Sequence, residues 1–167
     1  PAIQTSRTGR VHALATRRPA DAALVAAENH IERIYDRFEA LLADPAIDAV
    51  YIPLPNHLHL PWTLKALSAG KHVLCEKPIA CTAQEAQEMA RAVGRGNLFL
   101  MEAFMYRFHP RSREIKQLVS EGRIGEPCLV RSAFCFHMAK ETLDAGDNVR
   151  LKAGKGGGAL LDVVDGL

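Results

Sequence analysis

The sequence predicts an α/β fold, a doubly wound sheet of parallel strands, continued by the start of an α+β unit. Three observations carry this reading. Between residues 10 and 102, short apolar runs alternate with segments of helical period. The connections between them are short, which favours right-handed crossovers that return each strand parallel to the last. Charged residues, above all Glu76 and Lys77 in "GKHVLCEKPIA", stand where an apolar run ends, and ligands of open α/β sheets bind at that end of the strands.

The elements follow in order. "RVHALAT" (10–16) reads as a strand, and "PADAALVAAEN" (19–29) as a helix with Pro19 in its first turn. "ERIYD" is a short strand and "RFEALLAD" a short helix, before "DAVYIPL" (48–54) supplies a buried strand. "HLHLPWTLKALSAG" is a helix with Pro61 near its start and Gly70 just past its end. "KHVLCE" is the next strand. Thr82 and Glu85 form a T-x-x-E capping box, with Ala86, Met89, Ala90 and Val93 at helical spacing behind it. "NLFLME" (97–102) closes the series as a strand.

After residue 102 the character changes. "HPRSREIKQLVSEG" is a helix carrying Ile115, Leu118 and Val119 on one face, and "PCLVRSAFCF" (127–136) reads as a ten-residue strand. The expected division is therefore a partial dinucleotide-type domain over 1–103 and the beginning of a second, α+β domain over 104–167.

Composition narrows the function classes. With 48% hydrophobic and 24% charged residues, the chain can bury a sizeable core and is not expected to be disordered or fibrous. A formal charge of +2 with interspersed signs leaves no basic stripe for nucleic acid. No stretch approaches 18 consecutive apolar residues, so no membrane association is expected. The four cysteines include no C-x-x-C pair, which suits a reducing cytoplasm.

The chemistry-bearing residues gather at strand exits. "PLPNHLH" (53–59) places Pro55, Asn56, His57 and His59 after one strand; "CEKP" places Glu76 and Lys77 after the next. No Cys, Asp or Glu at ligand spacing accompanies the histidines, so a capping or supporting role is expected and no metal. Glu76-Lys77 alone could be a solvated turn. So could Thr16-Arg17-Arg18, whose functional alternative is the adenosine ribose end of a dinucleotide, where arginine favours a 2′-phosphate. "MYRFHP" (105–110) mixes Tyr106, Arg107 and His109 at the expected domain junction, with aromatic core packing as the plainer alternative.

Order and spacing of the whole set weigh against these plainer readings. "ATRR", "DAVYIPLPNHLH", "GKHVLCEKP", "MEAFMYRFHP", "GRIGEP" and "GGGALLD" together resemble the Gfo/Idh/MocA oxidoreductases, most nearly the dimeric dihydrodiol dehydrogenase and NADP-dependent D-xylose dehydrogenase branch. The resemblance implies a Rossmann-like sheet, NADP as cofactor with NAD possible, a sugar or cyclic diol as substrate, and a homo-oligomeric parent enzyme. It implies that Glu76 and Lys77 lie beside the nicotinamide and its ribose, with Lys77 catalytic. By the same resemblance Pro55, Asn56 and His59 line the dinucleotide cleft, and Thr16, Arg17 and Arg18 face the adenosine 2′-position. Arg107 would reach the nicotinamide or substrate, with Tyr106 and Asp162 on the substrate side.

The pattern also departs from that family. Its members open with a strand and a G-x-G-x-x-G/A turn that holds the pyrophosphate, whereas this sequence starts at "PAIQTSRTG". After the G-G-G-x-L-x-D run the family carries a Gly and, two residues further on, a Tyr or His; Val164 and Gly166 stand in those places here. The expectation is a sheet lacking its first strand, and a piece of an oxidoreductase that alone binds NADP poorly and turns over little. The alternative is a non-catalytic chain acting through association with a full-length partner.

Overall fold

The computed structural model describes residues 2–94, 97–133, 135, 137, 139–141, 146, 148 and 151–158. Strands and helices alternate as β1 (Ala13–Ala15), α1 (Pro19–Glu28), β2 (Arg33–Tyr35), α2 (Phe38–Ala43), β3 (Ala49–Ile52), α3 (His59–Ser68), β4 (His72–Cys75), α4 (Ala83–Val93), β5 (Leu100–Glu102) and α5 (Pro110–Ser120). The class is α/β with parallel strands, as the sequence predicts. The strands lie in two ladders: β1 pairs with β2, and β4 lies between β3 and β5. Among the described residues, β1 and β3 thus each have a ladder partner on one side only.

The core forms where the pleat of β4 meets α3. Val73 and Cys75 point one way from β4 and are buried, and Ile52 of β3 and Ala66 and Leu67 of α3 close over them. Leu42, Trp62, Ile79 and Leu100 pack at the margin. Among the described residues Met89, fully buried on α4, is the largest apolar side chain wholly removed from water. The capping box forms with a shift: Thr82 Oγ accepts from the Glu85 N–H at 3.2 Å, while the Glu85 carboxylate reaches back to the Cys81 N–H at 2.8 Å instead of that of Thr82.

Helix α2 couples the two ladders. Its Phe38 meets Trp62 of α3 edge to face, with centroids 4.8 Å apart. Lys65 of α3 sits over the same indole and pairs with Glu39 at 3.1 Å. Just past α2, Asp44 is buried and accepts from Arg33, Tyr35 and the Ala46 N–H. The Lys71 ammonium, also buried, donates to the Asp44 and Ile47 carbonyls at 2.8 and 2.7 Å, so a charge that would be costly unpaired is met by backbone dipoles at the end of the helix.

Two elements differ from expectation. β1 covers three residues of the seven read as strand, because the Val11 N–H is taken by the Gln4 side chain at 2.8 Å and not by a ladder. The ten-residue strand read over 127–136 is absent over 127–133, where Leu129 and Val130 are exposed. Apolar alternation makes a strand only when a neighbour completes the hydrogen bonds. No described residue does so. Residues 134 and 136 of that run lie outside the described set.

Candidate functional site

The exits of β3, β4 and β5 are cross-linked into one polar cluster. From β3, the Tyr51 hydroxyl donates to Glu76 Oε1 at 2.5 Å. The other Glu76 oxygen accepts from the Lys77 N–H at 3.2 Å, so the carboxylate caps its own turn. From β5, Glu102 Oε1 accepts from the Ile79 N–H at 2.7 Å. The turn Glu76-Lys77-Pro78-Ile79, whose Lys77–Pro78 peptide is cis, is therefore held from both neighbouring strands.

Behind the turn stands His59, the first residue of α3 and completely buried. Its Nδ1 lies 2.7 Å from the Pro78 carbonyl and its Nε2 2.7 Å from the Leu54 carbonyl. The ring joins the β3-exit loop to the β4-exit turn from inside. Pro55 precedes the 3₁₀ turn Asn56–Leu58 and accepts from the Leu58 N–H. The Asn56 amide is engaged with the Gly156 carbonyl at 2.7 Å, and His57 Nδ1 lies 3.4 Å from the Lys155 carbonyl. A glycine turn a hundred residues downstream is thus docked onto the β3 exit.

The electrostatics are those of a carboxylate-rich edge. Tyr51 is 47% exposed, yet partial burial of its phenol pushes it up to about 12, with its hydrogen bond to Glu76 adding to the effect. Burial likewise pushes the Cys75 thiol up to about 12, with Glu102 and Glu76 nearby reinforcing it, so this cysteine is an inert core group and no nucleophile.

Other predicted residues lie apart from the cluster. Thr16 continues the β1–β2 ladder, its N–H donating to Tyr35, and its hydroxyl accepts from the Arg18 N–H at 3.1 Å. Arg17 is exposed, and Arg18 forms a surface pair with Asp21 at 3.2 Å. Tyr106 and Arg107 lie exposed on the 3₁₀ turn Met105–Phe108, where Tyr106 with His109 and Pro110 borders a hollow of about 470 Å³. Asp162 lies outside the described residues. Sequence reading missed Tyr51, Glu102 and Gly156. Glu102 was open to the argument used for Glu76, a carboxylate at the end of an apolar strand.

Parallel strands with crossover helices, and polar residues collected at the strand exits, define a dinucleotide-binding type of α/β protein. Residues 1–104 match the family described as "Oxidoreductase family, NAD-binding Rossmann fold", and residues 112–164 match the "GFO/IDH/MocA C-terminal domain". The chain belongs to the Gfo/Idh/MocA oxidoreductase family, whose members are NAD(P)-dependent dehydrogenases and reductases. It is 42% identical to D-xylose 1-dehydrogenase (NADP(+)) 2 of Haloferax volcanii over 98% of this chain and 48% of that protein. It is 40% identical to trans-1,2-dihydrobenzene-1,2-diol dehydrogenase of Danio rerio over 92% and 44%. Among solved structures, a 3-ketoreductase from Actinomadura kijaniata in complex with TDP-benzene and NADP superposes with a TM-score of 0.70 at 38% identity, covering 75% of this chain and 40% of that one. The chain spans about half the length of the curated relatives it matches.

Proposed function

We propose that this chain provides the dinucleotide-binding half of an NADP-dependent oxidoreductase that moves a hydride between the cofactor and a hydroxyl-bearing carbon of a sugar or cyclic diol. The observation that carries the reading is the tethered Glu76-Lys77 turn at the exit of β4, held by Tyr51 on one side and Glu102 on the other. A turn fixed from both neighbouring strands keeps a lysine in place without reorganisation during reaction.

The donor set fits a phosphorylated dinucleotide. Arg17, exposed at the β1 exit, offers a planar fork of donors to a 2′-phosphate. Thr16 and Arg18 shape that exit, and Pro55 and Asn56 form the rim of the β3 exit. When bound, the cofactor supplies hydride acceptance or donation. Lys77 holds or moves the hydroxyl proton of the substrate, and Glu76 orients it through the turn. Arg107 and Tyr106, on the segment following β5, are assigned to the substrate side, together with Asp162. Residues 1–103 form the cofactor unit and 104–167 belong to the substrate domain. The whole enzyme is a homo-oligomer of the cytoplasm. Among the described residues no helix is long and apolar enough to cross a membrane.

The test is a chimera in which this chain replaces the matching half of the Haloferax volcanii D-xylose dehydrogenase, assayed at the nicotinamide absorbance with NADP and a panel of sugars and diols. Turnover that falls about 10²- to 10⁴-fold in Lys77→Ala, with a much smaller change in NADP affinity, is expected. A Lys77→Ala chimera retaining more than half of the parent turnover would remove the lysine from the mechanism.

A further inference from the structure

Among the described residues the buried imidazole of His59 faces two acceptors and no donor in its short contacts. Each of its ring nitrogens lies 2.7 Å from a backbone carbonyl oxygen, Pro78 on one side and Leu54 on the other. A neutral imidazole carries one N–H and one lone pair, so either tautomer would set a ring lone pair against a carbonyl lone pair at hydrogen-bond distance. Only the doubly protonated ring satisfies both contacts. An unpaired cation at a site with no solvent exposure would be costly; two charge-assisted hydrogen bonds to oriented carbonyls offset that cost. Lys71 in the same molecule shows the same solution, a buried cation held by two carbonyls.

We propose that His59 is a positioning residue for Lys77: as a buried imidazolium it donates to the Leu54 and Pro78 carbonyls at once and thereby fixes the β4-exit turn against the β3-exit loop. The Pro78 carbonyl is one residue from Lys77, and the next N–H along, that of Ile79, is held by Glu102. The turn is thus gripped at both ends of one peptide group, Pro78–Ile79, by a cation on its carbonyl and an anion on its N–H. The purpose assigned to the grip rests on the reading of Lys77 given above, whereas the protonation of the ring does not.

The test uses the chain itself, labelled with ¹⁵N in histidine, and reads the ring nitrogens of His59 by long-range proton–nitrogen correlation. The spectrum is recorded about 1.5 pH units above the reference histidine value of ~6.5. Two protonated ring nitrogens for His59 are expected; a lone-pair signal on either one would overturn the proposal without any variant being made. Amide exchange then separates positioning from bulk stability. In His59→Gln, which cannot donate along both directions of the ring, the Lys77 and Ile79 amides should exchange faster by roughly tenfold or more. The Val73 amide in the central strand should keep its protection. Equal acceleration at Val73, or none at Lys77 and Ile79, would overturn the positioning role. Neither readout involves NADP, so failure here is distinct from failure of the oxidoreductase reading.

Discussion

The Asn56 side-chain amide donates to the Gly156 carbonyl at 2.7 Å, joining the β3 exit to a turn 100 residues further along the chain. The contact is possible because Gly156 has φ of +74° and no side chain: a Cβ there would stand 2.6 Å from the Cys81 sulfur and 2.7 Å from the Asn56 Cβ. Gly122, just after α5, shares the left-handed conformation at φ +67°, but a Cβ there would meet nothing within 4 Å. Gly122→Ala should therefore cost only the backbone penalty of about 1–2 kcal/mol. Gly156→Ala should add an overpacking cost of about 1–3 kcal/mol and release the turn. Amide exchange at Gly157, whose N–H is held by the Lys152 carbonyl, reports the difference. Retained protection at Gly157 in the Gly156 variant would show that the turn does not depend on the close approach.

Tyr51 should ionise late. Its phenol is pushed up to about 12 by burial and by the bond to Glu76, so the stability it contributes is fully present below the ordinary tyrosine value and is lost as the pH rises towards 12. Spectrophotometric titration should resolve this late tyrosine, and Glu76→Gln should bring it earlier. An unchanged titration in Glu76→Gln would mean that the two side chains are not coupled.

Asp44 sets the acid limit of the fold. The Ala46 N–H, the Tyr35 hydroxyl and the Arg33 guanidinium hold its carboxyl below the usual aspartate range, with His12 adding to the effect. A lowered value means stability that is present above the unfolded-state value and lost as the pH falls through the folded one, a window below about pH 4. Asp44→Asn should be less stable at neutral pH and show a flatter acid limb in circular dichroism. The same acid midpoint and slope in both proteins would contradict this.

Met89 anchors α4. Fully buried, it should cost about 2–5 kcal/mol on truncation to Ala, measured by denaturant unfolding. A loss below 1 kcal/mol would indicate that the site collapses around the missing side chain.

Much of this architecture is legible in the sequence because it is encoded locally. Thr82 and Glu85 announce α4, Pro19 and Pro110 stand in the first turns of their helices, and Gly70 at φ +75° ends α3. What escapes sequence reading is set by distant partners. Nothing near His59 in the chain says that Pro78, 19 residues on, will close over its ring. Nothing in "PNH" reveals that its amide is committed to Gly156. The run at Leu129 and Val130 has strand composition, but a ladder partner and not composition makes a strand. At the site, the positions of Glu76 and Lys77 were readable from the end of an apolar run, while their tethers, Tyr51 and Glu102, come from the neighbouring strands.

We propose that the strand exits form a nicotinamide dinucleotide site, with Arg17 reading the 2′-phosphate and the Glu76-Lys77 turn beside the nicotinamide. The most direct test is chemical-shift mapping of the ¹⁵N-labelled chain with NADPH and then NADH at concentrations high enough to reveal weak binding. Shifts are expected at Glu76 and Lys77 with both cofactors, and at Arg17 with NADPH alone. Shifts absent from the β4 exit under saturating NADPH, or confined to the 105–108 turn, would contradict it.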